Sequence, residues 1–182
     1  MNLNNDIKKI LVTNEQIEAR CKELGEQIAV DYEDKKPILI SLLRGSLPFV
    51  TTLSIYLSIA LEFDYMKASS YHGGTSSTGN VAITVLPASK LEGRHIIIVE
   101  DIVDTGFTLS TVVKILKSYN PASIEIASLL DKPSMRKVDD LKLKYVGFVV
   151  PAEFVVGYGL DYNELYRQLP YVGVLKEEVY SK

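Results

Sequence analysis

Cysteine is all but missing. Cys21 is the only one in 182 residues, so an internal disulfide is excluded and thiolates cannot assemble a zinc cluster. Histidine is scarce as well: with only His72 and His95, an imidazole metal site has no support. No apolar run suits a membrane span, because the longest weakly polar stretch, Leu47–Leu61, is broken by Pro48, serines and threonines. The opening MNLNNDIKKI has no sustained apolar segment, so no secretory signal is expected, and a cytoplasmic protein is. Positive charge is not in surplus either. The net charge is −3 and the pI about 5.5, which disfavours nucleic acid as the main partner. The Walker loop G-x-x-x-x-G-K-[ST] and the dinucleotide fingerprint G-x-G-x-x-G are both absent. There are no internal repeats, low-complexity segments or linkers.

What is present describes one well-cored domain: 47% hydrophobic and 24% charged residues over 182 positions. Thr13-Asn14-Glu15-Gln16 reads as a capping box. It opens a helix with Ile17, Cys21, Leu24 and Ile28 at helical spacing, ending near Asp31, which makes Cys21 a buried or half-buried thiol. Pro37–Leu43 is a short continuous apolar run, the pattern of a strand buried on both faces. Leu47–Leu57 reads as a helix and Leu61–Ser70 as a strand. Tyr71–Asn80 (YHGGTSSTGN) has nothing to bury and is expected to be a mobile loop before a strand at Val81–Leu86. His95–Val99 is another buried strand, with His95 a strand-edge residue. A helix follows over Phe107–Tyr119, facing inward with Leu109, Val112, Val113 and Leu116, and then strands over Ile124–Leu130 and Tyr145–Val150. Alternating strands and helices predict an α/β fold with a mostly parallel, twisted sheet flanked by helices.

In such sheets ligands bind beyond the carboxyl ends of the strands. Leu43-Arg44-Gly45, Glu100–Thr108 and Asp131-Lys132-Pro133 lie there. The nine residues Glu100-Asp101-Ile102-Val103-Asp104-Thr105-Gly106-Phe107-Thr108 join an apolar strand to a helix. Thr105, Gly106 and Thr108 offer hydroxyls, amides and a turn at a helix N-terminus, which favours a phosphate. Carboxylates beside a phosphate site repel it unless they face a sugar diol or an associated Mg²⁺. A ligand carrying both ribose and phosphate reconciles the two halves. The bland reading, that the acids cap a turn, accommodates one acid better than three acids, a glycine and two threonines.

VEDIVDTGFTL (Val99–Leu109) resembles the phosphoribosyl pyrophosphate (PRPP) signature of the type I phosphoribosyltransferases. SSYHGG, LLDKPS and EFVVGYGLDYNELYRQLPYVGVL are similar to other hallmarks of that family's hypoxanthine-guanine branch, in the family order, from about Ile38 to Leu175. The resemblance implies a single domain over 1–182, with a small hood from about 151–175 plus the N-terminal segment and a lid at about 70–80. It also implies transfer of the phosphoribosyl group from PRPP to hypoxanthine or guanine, giving IMP or GMP and pyrophosphate.

By the same resemblance, Glu100 and Asp101 hold the ribose hydroxyls. Asp104, Thr105, Gly106, Phe107 and Thr108 cradle the 5′-phosphate, and Asp104 also lies beside purine N7 as the catalytic proton acceptor or donor. Leu43, Arg44 and Gly45 form the pyrophosphate loop, with Arg44 standing where the family commonly has lysine, and Arg167 is a second pyrophosphate contact. Ser70 and Tyr71 open the lid. Lys132 donates to the purine O6, Phe154 stacks on the base, the backbone of Val155 meets its edge, and Asp161 is counted with the purine site. Glu100, Asp101 and Asp161 attend Mg²⁺, mostly through PRPP, pyrophosphate and water. PRPP, a 6-oxopurine and the nucleotide product are the partners, without nucleic acid or membrane, and a homodimer or homotetramer is expected from the family. Locally, a lysine after a strand is usually solvated, an aromatic before valines is usually core, and a lone arginine is usually surface.

Two alternatives stand beside this. A phosphoribosyltransferase with xanthine-guanine preference fits Lys132 and Phe154 equally. A PRPP-binding transcription regulator of the same fold should carry a basic face or an added DNA-binding domain, and this sequence shows neither.

Overall fold

The computed structural model describes residues 3–70 and 81–181, with backbone alone at 69, 70 and 81. Tyr71 and His72 therefore lie outside the described residues, as does most of the expected lid.

The chain runs β1 (Ile7–Val12), α1 (Asn14–Asp31), β2 (Ile38–Leu42), α2 (Leu47–Ile55), β3 (Glu62–Ser70), β4 (Val81–Val85), β5 (His95–Val103), α3 (Phe107–Lys117), β6 (Ser123–Asp131), β7 (Tyr145–Val149), β8 (Val155–Val156), β9 (Val172–Leu175) and α4 (Glu177–Tyr180). Six strands form one sheet in the order β4-β3-β2-β5-β6-β7. It is parallel except for the antiparallel edge pair β3–β4. The expected α/β architecture is borne out.

Local chemistry explains the elements. Thr13 and Gln16 exchange the two bonds of a capping box at the start of α1. Ile17, Cys21, Leu24 and Ile28 then share one buried face. The Cys21 thiol is fully covered, and burial pushes its pKa up to about 12, so it stays a protonated core side chain. Every residue of β2 is buried. In β5 alternate side chains serve opposite faces: Ile97 and Val99 join the core under α1 and α2, while Ile96 and Ile98 join Leu109, Val112 and Leu116 of α3. A strand with helices on both sides has no polar face to show, which is why it reads as an unbroken apolar run. His95 is the first residue of β5, a central strand rather than a sheet edge, and its Nδ1 lies 2.8 Å from Ser123 Oγ.

Sequence patterning did not predict the second sheet. β1, β9 and β8 pair antiparallel in that order, so the N-terminal strand lies against β9 from the far end of the chain. Among the described residues no helix is long and apolar enough to cross a membrane.

Candidate active site

The site begins where two central strands part. β2 pairs with β5 only as far as Ser41↔Val99. On its other side β5 stays with β6 as far as Val103↔Asp131. From Glu100 onward β5 thus has an open edge on the β2 side. Glu100 and Asp101 belong to the strand itself, whereas the apolar run alone ended it at Val99. Pairing with β6 extends it, because backbone hydrogen bonds do not require apolar side chains.

A cavity of about 400 Å³ opens at that edge, with Arg44, Gly45, Glu100, Asp101, Asp161 and Arg167 among its walls. The Leu43–Arg44 peptide is cis, and Leu43 N–H donates to Met66 O at 2.8 Å. Gly45 leaves room for its neighbour: a Cβ there would fall 1.6 Å from Asp101 Oδ2 and would displace that carboxylate. A smaller cavity of about 100 Å³ adjoins it, lined by Asp104, Thr105, Gly106 and Thr108, and shares Glu100, Ile102 and Thr108 with the first. Gly106, at φ +84, is the N-cap of α3, a left-handed conformation that favours glycine. The orphan amides of the first helical turn point out of that end. Phe107 opens α3 but lines neither cavity.

The two acids are held by their own backbone. Asp101 N–H donates to Glu100 Oε1 at 3.0 Å, and Ile102 N–H to Asp101 Oδ1 at 2.8 Å. Burial pushes the Glu100 carboxyl well above its ordinary value of 4.5, and the neighbouring Asp101 charge adds to the shift. A raised acid binds its proton more tightly in the folded state. Its contribution to stability is complete below the unfolded pKa and lost as pH rises through the folded one. Glu100→Gln is therefore expected to raise the Tm of the ligand-free protein at neutral pH, by about 2–4 °C for each kcal/mol relieved. The gain should shrink as pH falls toward 4.5. An unchanged Tm across that range would show that the pair is not strained.

Across the carboxyl ends, Lys132 is only 7% exposed. Its Nζ donates to Glu153 O at 2.9 Å and lies 3.5 Å from Asp104 Oδ1. The solvated lysine expected from local pattern is absent. Phe154 is 39% exposed. One of its faces stacks on Tyr180 (centroids 4.9 Å, planes 23°), and Tyr162 meets it edge-on at 5.7 Å. Val155 is buried and paired with Val174.

Arg167 donates to Gly159 O at 2.7 Å and pairs with Asp161 at 2.7 Å and Glu164 at 3.4 Å. Its buried Nε has no hydrogen-bond partner among the described residues. Glu164 also meets Arg44 at 2.6 Å, so one carboxylate bridges both cations. Such exposed pairs contribute about 0–1 kcal/mol and yield readily to a stronger anion. Asp161 lines the same cavity as Glu100 and Asp101. Even so, no cluster of three potential metal ligands forms among the described residues. Ser70 ends β3. Glu153, Glu164 and Tyr180 were missed by sequence reasoning, and nothing in the local pattern marks any of them.

Residues 8–163 match the family model of the phosphoribosyl transferase domain. The chain is similar to the hypoxanthine-guanine phosphoribosyltransferase of Streptococcus pneumoniae strain R6, at 50% identity over 98% of this chain and 99% of that one. It is also similar to that of Staphylococcus aureus strain N315, at 49% identity over 98% and 99%. Among solved structures, it is similar to a hypoxanthine phosphoribosyltransferase from Staphylococcus aureus (TM-score 0.95, 49% identity, 99% of this chain and 97% of that one). The Trypanosoma cruzi hypoxanthine phosphoribosyl transferase is similar too (TM-score 0.91, 38% identity, 96% and 94%).

Proposed function

The chain belongs to the phosphoribosyl transferase family, and on that premise we propose that it is a purine salvage enzyme. It moves the 5-phosphoribosyl group of PRPP onto hypoxanthine or guanine, giving IMP or GMP and pyrophosphate. The observation that carries the 6-oxopurine reading is the buried Lys132 ammonium, 3.5 Å from Asp104 and next to the Val103–Gly106 turn.

In this reading the 5′-phosphate sits on the turn from Asp104 to Thr108, against amides at the α3 N-terminus. The ribose hydroxyls donate to Glu100 and Asp101, which relieves the repulsion between those acids. Pyrophosphate occupies the cavity of Leu43, Arg44, Gly45 and Arg167, taking both arginines from Glu164. Phe154 supplies a ring face opposite its Tyr180 contact, and the Val155 backbone meets the base edge. Lys132 carries only donors, so it accepts a 6-oxo group and rejects a 6-amino group. A purine nitrogen forms its bond to C1 of the ribose as the bond from C1 to the pyrophosphate oxygen breaks. The transition state resembles an oxocarbenium ion, and Asp104 accepts the proton that N7 gives up as the other imidazole nitrogen bonds to C1.

The adjacent carboxylates of Glu100 and Asp101 and the nearby Asp161 suit Mg²⁺ held largely through substrate oxygens and water. Bound Mg²⁺ would supply charge neutralisation for the departing pyrophosphate. The β1-β9-β8 sheet supports a hood over the base, and the segment at about 70–80, with Ser70 and Tyr71, a lid that keeps water from the activated sugar. The lone buried thiol of Cys21 suits a cytoplasmic setting. In the Trypanosoma cruzi enzyme the C-terminal region has a role in oligomeric state and enzymatic activity. We extend a homodimer or homotetramer to this chain, supported by Phe63 and Tyr65, which are exposed two residues apart on one face of β3.

The test is incubation with PRPP, Mg²⁺ and each of hypoxanthine, guanine, xanthine and adenine, followed by nucleotide detection. Product is expected with hypoxanthine or guanine and not with adenine. Absence of product with every oxopurine would sink the proposal in favour of a binding protein.

A further inference from the structure

We infer that Arg136 is a positioning residue for this reaction, tying down the outer side of the Val103–Gly106 turn so that its N–H groups aim at phosphate. The inference rests on the reading of that turn as the 5′-phosphate site.

Arg136 lines neither cavity. Its Nε donates to Asp104 O at 3.0 Å, its Nη2 donates to Val103 O at 3.4 Å, and the same Nη2 pairs with the Asp131 carboxylate. The side chain is 16% exposed. The neighbouring backbone continues the clamp: Lys132 N–H donates to Val103 O and Lys137 N–H to Thr105 O, each at 3.0 Å. Three consecutive carbonyls, those of Val103, Asp104 and Thr105, are thus engaged by the segment 132–137.

In a planar trans peptide the carbonyl and the following N–H point to opposite sides. Engaging those carbonyls on one side turns the N–H groups of Asp104, Thr105 and Gly106 to the other, toward the cavity that these residues line. The Arg136 stem also packs on the turn, since a Cβ on Gly106 would fall 3.0 Å from Arg136 Cδ and 2.4 Å from Val138 Cγ2. Of the three carbonyls only that of Asp104 depends on a side chain alone, and Asp104 is the residue whose placement the chemistry needs. A released carbonyl could rotate its oxygen toward the phosphate, replacing attraction with repulsion. Lysine keeps the charge but lacks the planar fork that reaches two carbonyls and Asp131 together.

Steady-state kinetics on Arg136→Gln and Arg136→Lys test this, with Thr105→Val as a direct contact to the phosphate. Loss of a charged hydrogen bond corresponds to about 10–150-fold. Arg136→Gln is expected to raise KM for PRPP by at least about 10-fold, while KM for hypoxanthine changes little. Arg136→Lys should fall between Arg136→Gln and the parent, and it carries the same comparison if Arg136→Gln does not fold. If Thr105→Val raises KM for PRPP but the Arg136 variants do not, or they raise both KM values in step, the positioning role is overturned and the phosphate site stands. If none of the variants moves KM for PRPP, the assignment of the turn fails and the inference fails with it.

Discussion

Replacing Asp104 by alanine is expected to lower kcat by at least about 100-fold, the low end of what a positioned acid–base group contributes. KM for PRPP should change far less. In the proposed reading the phosphate is held by backbone of the turn, which alanine preserves, and the carbonyls of Val103, Asp104 and Thr105 stay engaged from outside. The Asp104 carboxylate instead points at Lys132, 3.5 Å away, and is half exposed, so both groups can face the N7 and O6 edge of one base. Asp104→Asn separates two roles. An amide oxygen still accepts from Lys132 but cannot take a proton at N7. Equal losses in both variants mean that proton handling dominates. A large loss in Asp104→Ala alone means that Asp104 chiefly orients Lys132. Near-normal turnover in both would remove Asp104 from the mechanism.

Loss of the Lys132 ammonium should act on base choice rather than on PRPP. In Lys132→Met the aliphatic length remains, while the donor to O6 is gone. A hydrogen bond involving a charged group contributes about 1.5–3 kcal/mol, so kcat/KM for hypoxanthine should fall by about 10–150-fold. Preference over adenine should collapse with it, because methionine does not discriminate an oxo from an amino group. Lys132 is nearly fully buried and also donates to Glu153 O at 2.9 Å. Leaving that carbonyl unpaired has its own cost, so Tm is measured alongside. Undiminished selectivity for hypoxanthine over adenine would rule out Lys132 as the reader of O6.

The two predictions depend on different kinds of information. Asp104 lies inside a contiguous stretch whose composition a ribose and a phosphate reconcile, so it could be singled out as a site residue without coordinates, while its place beside N7 came from family resemblance. Lys132 could not be singled out on local grounds: a lysine after a strand is ordinarily solvated, and only family resemblance pointed to it. Its burial comes from packing, and its partner is the main-chain oxygen of Glu153, which any residue type would supply equally well. Glu164 and Arg136 were invisible for related reasons. The first acts across 120 positions on Arg44, and the second acts on backbone carbonyls.

The sequence by itself determined the elements whose signals are local. The Thr13–Gln16 box starts α1, the unbroken apolar runs of β2 and β5 require cover on both faces, and Gly106 supplies the turn before α3. Through the acids, threonines and glycine of Glu100–Thr108 it also pointed to a ligand carrying both sugar and phosphate at one strand end. Only the tertiary structure decided how far β5 runs, since its last four residues are held by pairing with β6 rather than by their own hydrophobicity. The same holds for the meeting of β1 with β9 and for the stacking of Tyr180 on Phe154. Short-range pattern records which face a residue turns to the core; it holds no record of which distant backbone group or ring that face will meet.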